Sequence, residues 1–444
     1  MEKSKVTKFN LNLYLILIIV VACFPKINII NVPGSSTGIR IDDILIAITL
    51  FIMILSTGKE IFNDKNIKKI TTIFLVYSVS CVISIIFGTL NGYISPLLGA
   101  LHLTRKIEYF IFIFFGYRYF KYEQQNPKIL KIVNCVVVFH LLVCILQYFG
   151  LVGSFNAGEA LDYLTQGRVS STFNGAYELS AFLLLLLPIY LYNIFSKSRQ
   201  TSGLYQNLFF IGIIFLCIFI SESRISFLAF IAIVILMFYH FKVKNNKKNF
   251  AIIVITIFVA ILGLSALKSG NSNISKRLNE ISISGFIEST SCAWEYKDFD
   301  LYLSQNKWYG NYACMTIGTD SSWNLRVNHW MQLIDGALRN PLFGLGLSIA
   351  GSASDGEYVR ILTESGLLGL LLWGYLLYKL VCIFNKHQDN KLCVISKYAL
   401  FGMLIGAIFI DVFSASKVIM IFWFLVGMSY SSIFEDENEE RSNS

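Results

Sequence analysis

The side chains with most chemistry to offer fall in five short clusters. Gly167-Arg168 opens a run, Val-Ser-Ser-Thr-Phe-Asn-Gly-Ala-Tyr, that ends at Glu178. Ser221-Glu222-Ser-Arg224 follows, then Arg277, then Arg326 with His329 close by. The last is Asp355-Gly-Glu357-Tyr358-Val-Arg360, running on to Glu364. Arginine suits phosphate because its planar fork gives bidentate, charge-assisted hydrogen bonds and never loses its proton. Several arginines converging on one cavity would suit a pyrophosphate carried by a membrane lipid. A carboxylate or imidazole within reach would take the proton of an attacking hydroxyl; Glu178, Asp355, Glu357 and His329 are the candidates. Each group also has a plainer role open to it. A lone arginine at a membrane edge snorkels to headgroups. Glu222 with Arg224, and Glu357 with Arg360 and Glu364, have local partners at helical spacing. Asp355 can cap the helix that follows it. Arg168, Arg277 and Arg326 have no obvious local partner, so they are the expected clamp, with Asp355 the preferred base. Arg224, Glu178, His329, Glu357, Tyr358 and Arg360 are expected to line the same site.

The elements that must position these residues are membrane helices. Of 444 residues 55% are hydrophobic and only 15% charged, well below the ~25% charge of soluble domains. Apolar runs long enough to cross a ~30 Å hydrocarbon layer recur along the chain. They predict an all-α integral membrane protein with about twelve spans, at 9–24, 41–57, 70–88, 105–120, 129–149, 176–195, 207–221, 224–241, 250–267, 357–384, 394–413 and 417–434. The first has no small-residue cleavage site after it, only Pro25-Lys-Ile-Asn, and reads as retained. Lysines and arginines favour the cytoplasm when loops are short. Lys3/Lys5/Lys8, Lys59/Lys65/Lys68/Lys69, Arg118/Lys121/Lys128/Lys131, Lys197/Arg199, Lys242/Lys244/Lys247/Lys248 and Lys386/Lys391 crowd one side. That bias predicts both termini inside and accounts for most of the net charge of +9 without a nucleic-acid surface. All five clusters then lie outside.

The segment 268–343 stands apart as a large external loop, and long connections usually carry function. Trp323, Val327, Trp330, Ile334 and Leu338 recur at helical spacing, predicting one amphipathic helix closed by Asn340-Pro341. Arg326 and His329 fall off that stripe. Gly344 and Gly346 permit a tight turn into the next span. Trp294, Tyr296, Tyr302, Trp308, Tyr309 and Tyr312 either stack on sugars or pack the loop's own small core, the second being favoured. Cys292 and Cys314 lie in this loop and form a disulfide or remain two free thiols. The remaining cysteines sit in or beside spans as small hydrophobes. His140, mid-span, reads as a packed and hydrogen-bonded residue. The tail Glu435-Asp-Glu-Asn-Glu-Glu440 reads as disordered, and the chain is otherwise one polytopic domain, 1–444.

There is no P-loop, zinc spacing, CxxC, Gly-x-Ser-x-Gly or Asp-rich metal motif, so no metal or cofactor is expected. Taken in order, Gly167-Arg-Val-Ser-Ser-Thr-Phe-Asn174, Ser221-Glu-Ser-Arg224, Arg326 with Trp330 and Asn340-Pro-Leu-Phe-Gly-Leu-Gly346, and Asp355-Gly-Glu-Tyr358 leading to Leu362-Thr-Glu-Ser-Gly366-Leu-Leu-Gly369 resemble the bacterial O-antigen polymerase/O-antigen ligase superfamily. The resemblance covers the middle and C-terminal two-thirds of the chain. It implies a GT-C-type, metal-independent glycosyltransferase of the inner membrane, with a large periplasmic loop before the tenth span. The implied donor is an oligosaccharide on undecaprenyl pyrophosphate. The implied acceptor is another lipid-linked repeat unit for a polymerase, or lipid A-core for a ligase. A chain-length regulator is a further implied partner. Ligases of this kind have a His three residues before the tyrosine of the tenth-span motif. Asp355 stands there instead, which favours the polymerase (Wzy-like) reading. A lipid-linked oligosaccharide flippase or transporter is the competing class, weakened by the absence of an internal repeat.

Overall fold

The computed structural model describes residues 2–31, 38–57, 64–123, 128–153, 155, 168–196, 202–241, 283–304, 314, 321–351 and 354–443. Arg277, Trp308, Tyr309, Tyr312 and the expected span at 250–267 lie outside the described residues.

Helix α1 (Glu2–Cys23) is followed by a small antiparallel hairpin, β1 (Asn28–Asn31) with β2 (Gly38–Arg40), in an otherwise helical chain that matches the all-α expectation. Five helices come next: α2 (Ile41–Thr57), α3 (Lys65–Leu90), α4 (Pro96–Glu123), α5 (Lys128–Tyr148) and α6 (Ala176–Phe195). After α7 (Ser202–Ile220) and α8 (Arg224–His240) come the loop helices α9 (Ile283–Glu295), α10 (Phe299–Ser304) and α11 (Ser321–Arg339). The chain closes with α12 (Glu357–Lys386), α13 (Lys391–Gly406) and α14 (Ser416–Asn443). Among the described residues six helical stretches are long and apolar enough to cross a membrane: Ile67–Leu90, Lys128–Tyr148, Ala176–Phe195, Gly203–Ile220, Glu357–Lys386 and Ser416–Asp436. Two shorter apolar helices, Asn12–Cys23 and Arg224–His240, accompany them. This is a multi-pass membrane protein.

Apolar side chains decide which helices lie inside. Helices α6 and α14 are the central ones, each burying about four-fifths of its apolar window (78% and 83%). On α6, Leu183 to Leu187 are all buried. By contrast α5 buries only 22% of its window and leaves Leu142 and Leu146 exposed, as a lipid-facing helix does. Helix α14 packs most extensively on α4, where Gly116 and Gly427 let the two backbones approach. A Cβ at Gly427 would sit 2.0 Å from the Ile113 carbonyl oxygen.

Two boundaries differ from the sequence reading. Helix α14 continues through 435–443, where a disordered tail was expected, and Asn390 Nδ2 donates to Asp436 Oδ2 at 2.9 Å. The expected span 394–413 stops at Gly406. Residues 407–415 form a turn-rich loop instead, because Asp411 has partners there that a helix would deny it.

Helix α12 is broken. Gly366 has φ +68 and ψ −172, a backbone state that L side chains avoid. The break frees two carbonyls and two amides, and the loop from Pro341 to Gly346 takes all four. Leu345 and Gly346 amides donate to the Thr363 and Glu364 carbonyls at 2.9 and 3.1 Å. Leu367 and Leu368 amides donate to the Pro341 and Leu342 carbonyls at 2.8 and 3.1 Å. Non-helical backbone inside a membrane protein survives only when so satisfied. The Asn340-Pro-Leu-Phe-Gly-Leu-Gly346 motif is therefore an insert into the broken helix, beyond the tight turn read from its glycines.

Candidate functional site

Arg168 and Arg326 meet over one aromatic ring. The guanidinium carbon of Arg168 lies 4.6 Å from the Tyr177 ring centroid and that of Arg326 lies 5.0 Å from it. The two cations are thus within about 10 Å of each other on a shared π surface. Asp355 sits beside Arg326, with Oδ2 3.6 Å from Nε. The Asp355 side chain is 42% exposed, so the carboxylate opens onto accessible space. Partial desolvation of the rest of the side chain pushes its pKa above the ordinary carboxylate value, Arg326 pulls it back, Asp411 pushes it up and Arg168 pulls it down. Arg168 also reaches the Glu222 carbonyl at 3.5 Å, which brings the turn before α8 to the same place.

Three pieces of backbone present these groups. Arg168 precedes a buried loop that Gln147 clamps as a neighbouring strand would. The Gln147 Oε1 accepts from the amides of Ser170 and Ser171 at 3.2 and 2.7 Å, and its Nε2 donates to the Ser171 carbonyl at 2.9 Å. His140 Nδ1 pairs with Ser171 Oγ at 2.8 Å, the packed and hydrogen-bonded role expected of it. Lys417, 3% exposed, donates to the Thr172 carbonyl and hydroxyl at 2.8 and 3.0 Å. The serines and threonines of this motif thus position Arg168.

The second piece is α11, which carries Arg326. Its buried face is Asn324, Val327, Asn328, Gln332, Leu333 and Ala337, while Leu338 is 62% exposed. The expected apolar stripe is thus rotated, because amides replace hydrophobes on the inner face. Gln332 Oε1 accepts the Asp298 amide at 2.5 Å and Asp335 accepts the Phe299 amide at 3.2 Å, docking α10. Phe299 and Tyr302 are fully buried, so these loop aromatics pack a core; Trp294 and Tyr296 remain half exposed. The disulfide Cys292–Cys314 is formed.

The third piece is Ser354-Asp355-Gly356. Asp355 adopts φ +51, a left-handed state uncommon for a residue with a side chain. Asp411 holds both neighbours: Oδ2 accepts the Ser354 amide at 2.7 Å, and Oδ1 accepts the Ser354 hydroxyl at 2.6 Å and the Gly356 amide at 3.1 Å. Trp330 Nε1 donates to the Asp355 carbonyl at 3.1 Å. Glu222, next to Arg168, also has positive φ, at +54. Strained backbone on both sides of the arginine pair is a mark of functional sites.

The other expected site residues are placed differently. Glu357 is fully buried and its carboxylate accepts the Phe413 and Ser414 amides and the Ser414 hydroxyl at 3.0, 3.2 and 3.0 Å. Arg360, 4% exposed, bonds Asp411 at 2.8 Å, Glu364 at 3.3 Å and the Gly351 carbonyl at 2.8 Å. Tyr358 donates to the Leu404 carbonyl at 2.9 Å. Glu357 and Arg360 brace α12 against the 407–415 loop, and Tyr358 ties α12 to α13. Glu178 forms an ion pair with Lys26 at 3.0 Å. His329 Nε2 pairs with the Tyr302 hydroxyl at 3.1 Å, and burial lowers its pKa to about 4, so its ring is neutral at physiological pH. Arg224 stands half-buried at the first turn of α8. Tyr177 and Asp411 were not picked out in the sequence. Tyr177 lies inside the Arg168–Glu178 motif, but nothing in the sequence marked it beyond that position. Asp411 gave no signal beyond being an acid in an apolar run.

No curated protein matches the chain closely enough to add a relative. Residues 209–374 match the family model described as O-antigen ligase. That stretch runs from α7 to the middle of α12, so it takes in Arg224, Arg326, Asp355 and the broken helix. It leaves Arg168, Tyr177 and Asp411 outside. The match supports a ligase- or polymerase-like function in surface-polysaccharide synthesis.

Proposed function

We propose that this chain is a glycan polymerase working on lipid-linked repeat units at the outer face of the inner membrane. It transfers a growing glycan from undecaprenyl pyrophosphate to a second lipid-linked unit. The observation that carries the reading is the pair of guanidinium groups on Tyr177 with a carboxylate 3.6 Å from one of them. In the reaction an acceptor hydroxyl oxygen bonds to the anomeric carbon. The bond from that carbon to the pyrophosphate oxygen breaks, and undecaprenyl pyrophosphate leaves with the electron pair. Arg168 and Arg326 bind and neutralise it as charge develops. The hydroxyl proton passes to Asp355, whose raised pKa makes it a stronger base than an ordinary carboxylate. Arg277 is proposed as the third member of the clamp. The chain is proposed to have twelve crossings in a GT-C-type arrangement with both termini cytoplasmic.

The ligase is the second reading, favoured by the printed name of the matching family. An aspartate where the resemblance places the ligase histidine favours the polymerase. Purified protein given a synthetic undecaprenyl-pyrophosphate repeat unit separates the two. Longer lipid-linked glycans support the polymerase. Transfer to lipid A-core without elongation supports the ligase, and transbilayer movement with neither product supports a transporter.

A further inference from the structure

Far from the arginine site, three lysines from two helices surround one cavity. It has a volume of about 180 Å³ and is lined by Lys69, Ile70 and Ile73 of α3 and by Lys379, Cys382, Ile383 and Lys386 of α12, with Tyr430 of α14. Twenty residues of α12 separate Gly366 from Lys386, about 30 Å of helix. The cavity therefore opens at the opposite membrane edge from Asp355. Its volume is many times the ~10–15 Å³ that one water requires.

We propose that this cavity binds the phosphate of an anionic glycerophospholipid, with the acyl chains lying along Ile70, Ile73 and Ile383. Three lysines border one space, with Lys379 Nζ also lying 5.0 Å from the Tyr375 ring centroid, and an anion seated there would be attracted by all three. The residues lining the cavity include no carboxylate that would serve instead. Asp64, whose charge reaches Tyr430, is already engaged by the Tyr117 hydroxyl at 2.9 Å and the Ile67 amide at 3.3 Å. Tyr430 supplies an independent sign. It is completely buried, it forms part of the cavity wall, and its hydroxyl has no hydrogen-bond partner among the described residues. A buried hydroxyl left without a partner costs free energy, and a small shift of the cavity wall would let a phosphate oxygen accept from it. The apolar wall selects a lipid over a free anion, because inorganic phosphate gains nothing from Ile70 or Ile383. Basic pockets between membrane helices suit such headgroups. A lipid seated here would brace α3 against α12. Ser84 of α3 also bonds the Glu364 carbonyl at the helix break, so the two helices are tied at both ends.

The test uses full-length protein in detergent with dioleoyl-phosphatidylglycerol, dioleoyl-phosphatidylcholine or inorganic phosphate. Native mass spectrometry counts retained lipid and the thermal midpoint reports stabilisation. Phosphatidylglycerol should be retained and raise the midpoint, and phosphatidylcholine should do neither. Lys69→Ala/Lys386→Ala should weaken retention about thirtyfold, from the attraction each lysine adds near anionic lipid. Lys69→Arg/Lys386→Arg should preserve it, which separates charge loss from misfolding. Tyr430→Phe should weaken it further. Equal phosphatidylglycerol retention by the alanine variant overturns the site. A phosphate-induced shift equal to that from the lipid overturns the lipid as its occupant.

Discussion

Asp411→Asn removes one charge from a residue that touches neither arginine of the pair, and it is expected to abolish transfer. The carboxylate accepts four hydrogen bonds, two per oxygen. Oδ2 takes the Ser354 amide at 2.7 Å and Arg360 Nη1 at 2.8 Å; Oδ1 takes the Ser354 hydroxyl and the Gly356 amide. An asparagine must point its NH2 at one of these pairs. Turned toward Oδ2, it faces two fixed N–H donors. Turned toward Oδ1, it orphans the Gly356 amide while the Ser354 hydroxyl rotates to accept. In the milder case the Gly356 amide is left unsatisfied, about 1–3 kcal/mol, and the bond to Arg360 persists but loses its charge assistance, about 1 kcal/mol. The expected destabilisation is about 2–4 kcal/mol. Asp355 at φ +51 is held between the two residues that Asp411 grips, so the carboxylate next to Arg326 moves with it.

The assay is glycan extension by purified variant at a temperature well below its thermal midpoint, with donor binding measured in parallel. The expected pattern is a midpoint lowered by several degrees, donor binding within a few-fold of the parent, and extension reduced at least ~100-fold. An Asp411→Asn protein with the parental midpoint and parental extension would refute the reasoning. It would mean that the Ser354–Gly356 backbone holds Asp355 without help. Loss of donor binding and extension together would place Asp411 in the clamp, which the hydrogen bonds above contradict.

Four other outcomes are expected. Arg168→Lys and Arg326→Lys should each lose most extension while the protein still inserts, since an ammonium cannot replace a planar fork on Tyr177; retained long chains would remove either arginine from the mechanism. Gly366→Ala should sharply lower folded yield, because its Cβ would lie 2.3 Å from the Leu342 carbonyl oxygen at φ +68, whereas Gly374→Ala on the same helix meets nothing and should be neutral or stabilising by up to ~1 kcal/mol. Cys292→Ser/Cys314→Ser should cost the loop about 3 kcal/mol for a 22-residue separation, read as faster proteolysis between α9 and α11. His329 has a folded pKa of about 4 against an ordinary 6.5, so the unfolded chain takes its proton first. Stability should fall as pH drops from about 6.5 toward 4, by about 2 kcal/mol at pH 5, and His329→Gln should flatten that slope.

Apolar periodicity found the helices well, because lipid and core both demand continuous hydrophobic surface. The helices missed or trimmed were those whose ends are settled by polar partners. The span expected to reach 413 stops at Gly406 because Asp411 needs four donors. The helix at Ser321–Arg339 was found, but its buried face was misjudged because Asn324, Asn328 and Gln332 point inward. At the site, Arg168 and Arg326 stood out as arginines without local partners, and the structure does bring them together. Their meeting point, Tyr177, was invisible because a tyrosine at a helix start has many bland uses. Glu357 and Arg360 looked like site residues for the same reason that Arg168 did, being charges at a membrane edge. The structure adds what the sequence did not show, their long-range pairing to Ser414 and Asp411, about fifty residues away in the chain.

The segment 268–343 is expected from the sequence to be an external loop, and the turn that follows its C-terminal end is part of the membrane framework. The Pro341–Gly346 loop takes four hydrogen bonds of the broken helix that no water in hydrocarbon could take. Helix α11 ends at Arg339, two residues before that loop, so it cannot slide or tilt freely over the site. Trp330 adds a second restraint by bonding the Asp355 carbonyl, and Gly356 admits the indole where a Cβ would lie 2.5 Å from its nitrogen. Arg326 is one helical turn from Trp330, on an element fixed at both of those points. Its distance to Asp355 is therefore set by the helix break. That makes Gly366, Trp330 and Asp411 the structural determinants of a site whose chemistry is proposed to rest on Arg168, Arg326 and Asp355.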